Sequence, residues 1–239
     1  MHDRLISRYI LECVIETEEP LHIGAGKGEF VSAVDNPVVK VETNDDVKPI
    51  IPGSSIRGVL RSHFTRIVNS LPEETLEKWG IKKSEKLEEI REFPSKDEKD
   101  KEGMMYKLGT LDKFFGIPGL ASPLKITDAE AGNVKLSTRT HVKIDISTDR
   151  VEKGKLFTVE FVEGTFNFKI IFDELDGEHF EDVNDFFKNV FLKAMSNGIE
   201  LHLGGMKSRG YGLCQLKLSK ALRYTPEALA LGEEPEVVE

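Results

Sequence analysis

Two cysteines and one tryptophan are all that 239 residues supply of either type. Cys13 and Cys214 lie far apart and form no metal-ligand spacing, which excludes a disulfide-stapled framework and a cysteine zinc site. Both sit in apolar runs that read as core strands, so the chain is expected in a reducing, cytoplasmic setting. No apolar run approaches the ~20 residues needed to cross a bilayer, and no signal peptide is read before the first strand, so no membrane partner is expected. A cofactor fingerprint is missing too. Gly24-Ala25-Gly26-Lys27-Gly28 is rich in glycine but lacks the lysine-then-hydroxyl ending of a phosphate-binding loop.

One further absence is local. The net charge is −9, yet Lys48–Arg66 and Leu201–Arg223 contain no Asp or Glu. Acid is concentrated in 71–102, in 160–185 and in the tail from Glu227. Local fields decide what approaches a surface, so the total charge does not exclude a polyanion.

The chain opens on an alternating strand, with Tyr9, Leu11, Cys13 and Ile15 on one face. Leu21-His22-Ile23 runs into the first glycine loop. Asp35-Asn36-Pro37 interrupts the next extended piece, and an Asx-turn accounts for Asp35 as well as a chemical role does. Pro52-Gly53 then leads into Ser54-Ser55-Ile56-Arg57-Gly58-Val59-Leu60-Arg61, where Ile56, Val59, Leu60 and Phe64 recur at helical spacing. Ser54 or Ser55 can cap this helix, and Arg57 and Arg61 share one face. A phosphate-binding helix entrance and an ordinary capped helix with a solvated basic face both fit.

Residues 71–106 read as a charged helical insertion, with exposed helices at Glu73–Trp79 and Glu85–Phe93 and a mobile loop at Pro94–Gly103. Leu108–Leu120 is apolar and packs the insertion back on the core. A long hairpin is expected over Val134–Val162, with a turn or bulge at Lys153-Gly154-Lys155 and a further strand at Thr165–Phe172. Phe180–Asn197 is an amphipathic helix ended by Gly198. A strand then enters a second glycine loop, Gly204–Gly212, and the last strand is Leu213–Leu222. Residues 227–239 form an acidic tail, expected to fray. The fold class is therefore α+β: a βαββαβ ferredoxin-like (RRM-like) core over 1–70 and 107–226, a helical insertion and a long β-hairpin.

Four stretches together resemble the RAMP superfamily of CRISPR-associated proteins, and most closely the repeated backbone subunit of type III effector complexes. They are Leu21–Gly26 with Val34–Lys40; Ile50–Arg61; Ile126–Ala129 with Thr138–Asp145 and Gly154–Phe157; and Gly204–Gly212. The sequence departs at Ala25, where the family has a second glycine. The resemblance implies that copies of the subunit stack along a guide RNA with other type III effector subunits. The hairpin acts as a thumb that displaces a base pair of the guide–target duplex, its apex around Ile146–Val151 supplying the wedge. It also implies RNA contacts from His22, Ser54, Ser55, Arg57, Arg61, Arg139, Gly204, Gly205, Lys207, Arg209 and Gly210. Asp35 matches the aspartate needed to cut single-stranded target RNA.

An exposed aspartate is a weak base at neutral pH, since its pKa is about 3.9. Asp35 is therefore expected to ligate a loosely held Mg²⁺ (or Mn²⁺) whose other ligands come from the substrate. His141 is not expected to be the general acid. The alternatives are a non-catalytic RNA-binding scaffold and a guide-processing endoribonuclease of the same superfamily.

Overall fold

The computed structural model describes residues 4–25, 34–43, 46–84, 98–145 and 150–238. The expected helix over 85–93, most of the first glycine loop and the hairpin apex at 146–149 lie outside them.

The elements are β1 (Arg4–Thr17), β2 (Lys40–Thr43), β3 (Asp46–Ile51), α1 (Gly53–Ser70), α2 (Glu73–Lys78), α3 (Glu98–Lys107) and α4 (Thr110–Phe115). They continue with β4 (Leu124–Ile126), β5 (Ala129–Asp145), β6 (Arg150–Asp176), α5 (Glu181–Phe186), α6 (Leu192–Asn197), β7 (Ile199–His202), β8 (Leu213–Tyr224), α7 (Pro226–Leu231) and β9 (Glu236–Val238). The sheet runs β2-β3-β5-β6-β1-β8-β7, with β4 added to β6 and β9 to β8, and its ladders are antiparallel.

Alternation puts Tyr9, Leu11, Cys13 and Ile15 of β1, and Phe166, Phe168, Ile170 and Phe172 of β6, on one buried face. The helices cover that face. Phe64 of α1, Phe114 of α4 and Phe186 and Phe191 meet in a fused aromatic cluster. Phe172 stacks on Phe187 with centroids 4.0 Å apart. A π-helical turn, Phe187–Phe191, joins α5 to α6 and accompanies the burial of the adjacent Phe186 and Phe187 together with Phe191.

Four expectations are corrected. The hairpin's return strand and the strand expected at Thr165–Phe172 are one 27-residue strand, β6. Period-2 alternation does not mark where a strand must stop, and antiparallel pairing to β5 and then β1 carries this one through. Residues 98–103, expected in a mobile loop, belong to α3, whose Met105 joins the core with Leu76 and Ile81. The tail does not fray where it is described: Thr225 caps α7, and β9 pairs with Ala221–Arg223 of β8. Finally, neither Ser54 nor Ser55 caps α1. Pro52 holds the cap position, and the Gly53 N–H donates to Asp128 Oδ1 at 2.7 Å. Glycine is required there, because a Cβ would lie 2.4 Å from the Ile126 carbonyl oxygen. No helix among the described residues is long and apolar enough to cross a membrane.

The β1–β6 seam carries an ion triad. Asp173 pairs with Arg8 at 2.5 Å and with Lys125 at 2.9 Å. Burial pushes the Asp173 carboxyl up, but hydrogen bonds and charge from Arg8 and Lys125 outweigh it and hold the group below the usual carboxylate range. Its contribution is complete above about pH 4 and is lost as pH falls through the lowered folded value. Asp173→Asn should therefore cost about 2 kcal/mol at pH 7, with wild type and variant converging in acid, as read by denaturant unfolding across pH 2–7.

Candidate nucleic-acid interface

β1 ends at Thr17, but β6 continues on the hairpin side of Thr165, so one edge of β6 loses its partner. Unpaired backbone groups there must find other acceptors and donors. Two loops supply them. Leu21 bridges Val162 antiparallel, and Asn36 bridges Val159 parallel. The Asn36 N–H donates to the Thr158 carbonyl at 3.1 Å, and the Glu160 N–H donates to the Asn36 carbonyl at 3.0 Å.

Asp35 completes this edge. Its Oδ2 accepts the Thr158 N–H at 2.7 Å, a partner 123 positions away, and the residue is exposed. The Asx-turn account of Asp35 does not describe this bond, because the carboxylate caps a strand of the hairpin. Its Oδ1 makes no hydrogen bond or ion pair among the described residues.

Glu160 holds the two loops together. Its buried carboxylate accepts the Val38 N–H at 3.0 Å and pairs with Lys40 at 2.7 Å. Its carbonyl lies 2.8 Å from His22 Nδ1. A carbonyl can only accept, so Nδ1 carries a proton and donates it to that bond.

The C-terminal glycine loop docks on the same loop. The Gly205 N–H donates to the His22 carbonyl at 2.8 Å. Gly204 has φ +71°, and a Cβ on it would lie 2.2 Å from that carbonyl oxygen, so no other residue fits. Asp35, His22, Gly204 and Gly205 are thus brought together through β6. Lys207, Arg209 and Gly210 follow in an exposed 3₁₀ turn.

Arg139 is placed differently. On the hairpin face away from the main core, Phe161 stacks on Tyr211 at 4.5 Å, and the Arg139 guanidinium lies 5.4 Å from the Tyr211 ring centroid. His141 stacks on Phe157 at 5.6 Å, and its Nε2 is buried with no hydrogen-bond partner among the described residues.

Arg57 and Arg61 do not present free cations. Arg57 donates to the Phe115 carbonyl, and burial, then the charge of Arg61, pulls its guanidinium down. Arg61 donates to the Gly116 carbonyl at 2.7 Å and pairs with Asp112 at 2.6 Å. A carboxylate distant in sequence neutralises what looked like an uncancelled field. The helix entrance is likewise taken, since Asp128 already fills the anion position at Gly53.

The two carboxylate-free stretches meet elsewhere. Ser62, His63 and Arg66 of α1 face Glu200 and His202 of β7 and Lys207 across a cleft of about 430 Å³. Burial, reinforced by the charge of Arg66, lowers the His63 pKa. Among the described residues, the side chains of His202, Lys207 and Arg209 have no hydrogen bond or ion pair. Sequence reasoning singled out both stretches but did not name His63, Arg66, Glu200 or His202 where they meet. It also missed Glu160, a carboxylate set between the apolar Val159 and Phe161.

The RAMP superfamily model matches residues 14–215. The chain belongs to the RAMP superfamily. It is 28% identical over 226 residues to the CRISPR system Cms endoribonuclease Csm3 of Streptococcus thermophilus, covering 87% of this chain and 86% of that protein. Chains of the type III-B Cmr-beta complex share the fold. One from the apo state has a TM-score of 0.54 at 13% identity, covering 88% of this chain and 97% of that one. One from the complex bound to cognate target RNA has a TM-score of 0.55 at 12% identity, covering 87% and 96%.

Replacing Glu160 should unlatch the interface. Glu160→Ala leaves the Val38 N–H unpaired and should cost about 1–3 kcal/mol, with faster hydrogen exchange at the Val38 amide. Glu160→Gln keeps an acceptor for Val38 and should lose less.

Proposed function

We propose that this chain is a guide-RNA-binding backbone subunit of a type III interference complex and cuts complementary target RNA through Asp35. The observation that carries the proposal is the attachment of Asp35 to the hairpin strand at Thr158, on the latch that also holds His22 and the glycine loop. Membership of the RAMP superfamily and the likeness to a protein named an endoribonuclease support it. Its partners are then guide RNA, target RNA, further copies of itself and other effector subunits. Free, buried Cys13 and Cys214, whose thiols burial pushes up to about 12, suit a cytoplasmic setting.

In this account β1, α1, β5, β6, α5–α6 and β8 are a ferredoxin-like βαββαβ core, since the inner order β5-β6-β1-β8 suits two such halves. The β5–β6 hairpin is its thumb, 71–106 an insertion and 227–239 a terminal extension. Guide binding is phosphate and shape recognition by His22, Ser54, Ser55, the glycine loop, Lys207, Arg209 and Arg139, joined by His63, Arg66 and His202. Arg57 and Arg61 contribute by fixing α1 against α4.

Cleavage requires a target nucleotide turned so that its 2′-hydroxyl, phosphorus and leaving oxygen are in line. The hairpin displaces the base, and unstacking permits that turn. No group of three or more His, Cys, Asp or Glu residues suited to a metal occurs among the described residues. Mg²⁺ nevertheless fits, because it is commonly held by one or two carboxylates plus substrate phosphates and waters. Asp35 Oδ1 would hold it, and when bound it supplies Lewis-acid polarisation of the phosphoryl oxygen and a more acidic bound water. The Thr158 N–H keeps the carboxylate aimed.

Two experiments test this account. Assembled complex carrying Asp35→Ala should bind target as wild type does and cleave it at least about 100-fold more slowly. Unchanged cleavage refutes the role, and wild-type complex that protects target without cutting it in Mg²⁺ or Mn²⁺ selects the scaffold. Arg66→Ala and Lys207→Ala should each weaken RNA binding and reduce the salt slope by about 1, whereas Arg57→Ala should lower stability and leave that slope in place.

A further inference from the structure

One carboxylate stands inside the basic cleft. Glu200 and His202 lie two residues apart on β7 and share its exposed face, while Ile199 and Leu201 point into the core. Across from them are Ser62, His63 and Arg66, with Lys207 at the side. The two stretches that build the cleft contain no other acid, since Lys48–Arg66 and Leu201–Arg223 carry none. The Glu200 side chain makes no hydrogen bond or ion pair among the described residues.

An ionised carboxylate only accepts hydrogen bonds, and a phosphodiester oxygen offers it none. Facing a polyanion, Glu200 therefore weakens binding unless the ligand brings a donor to it. A ribose has such a donor in its 2′-hydroxyl, and a deoxyribose does not. Arg66 and Lys207 line the same cleft and can hold phosphates, which brings a sugar into it beside Glu200.

We propose that Glu200 accepts the 2′-hydroxyl of a nucleotide seated in the α1–β7 cleft and is the residue that makes this cleft prefer RNA to DNA. Charge repulsion then acts against both strands, and the hydrogen bond offsets it for RNA alone. The inference rests on the cleft binding nucleic acid, as proposed above.

The test uses the full chain and two labelled single strands of one sequence, one ribo and one deoxy, at fixed ionic strength. Wild type should prefer the ribo strand. Glu200→Ala should bind DNA more tightly and RNA no better, so that the preference falls about tenfold. Glu200→Gln, which loses the charge and keeps an acceptor, should tighten both and retain part of the preference. If Glu200→Ala shifts both affinities by the same factor, Glu200 is only a charge and the inference fails. If Arg66→Ala with Lys207→Ala leaves RNA binding unchanged, the cleft does not hold nucleic acid and the underlying proposal fails first.

Discussion

The unpartnered edge of β6 beyond the end of β1 governs the arrangement of the interface. A strand edge exposes donors and acceptors that must be satisfied, and here the loops at 21–25 and 34–39 satisfy them. Glu160 then fastens both loops with three of its polar groups, bonding the Val38 N–H, Lys40 and His22. The carboxylate is buried, and a buried charge is tolerable only when it is paired and hydrogen-bonded. The positions of Asp35 and His22 and the docking of the glycine loop on the His22 carbonyl all depend on this seam.

Electrostatics are organised by pairing as much as by composition. The arginines that stand out in α1 are engaged with carbonyls and with Asp112 of α4. Within the two carboxylate-free stretches, Arg66 of α1 bonds only Ser62 among the described residues, and the Lys207 and Arg209 side chains of the glycine loop bond nothing there. Association with a polyanion responds to charges that can exchange counterions, and a guanidinium already tied to a carboxylate contributes little to that exchange. Mixed polarity in the cleft, with one acid among cations, is better suited to recognising a sugar–phosphate unit than phosphate alone.

Much of the fold was legible because its signals are local. The alternation of Tyr9, Leu11, Cys13 and Ile15 marked β1, and the stripe through Phe187 and Phe191 with Gly198 behind it marked the second core helix. The second glycine loop was visible as composition. Arg57 and Arg61 were correctly placed on one face, but their spacing could not say that the Phe115 and Gly116 carbonyls would meet it. Ser54 and Ser55 had the chemistry of caps, yet Asp128, remote in sequence, took that position. Glu160 and the α1–β7 cleft escaped for the same reason, since each is defined by partners from distant segments. The continuity of β6 was hidden because alternation continues unchanged across the point where β1 joins its other edge.

That continuity has a mechanical corollary. A single unbroken strand carries Phe172 in the aromatic core, Glu160 in the latch and Thr158 beneath Asp35, and then extends into the hairpin. A load on the described part of the hairpin is therefore passed along one continuous strand to the core. Asp35 is tied to that strand at Thr158, so its distance from Arg150 is set by strand rise, much as a tooth is fixed on a gauge.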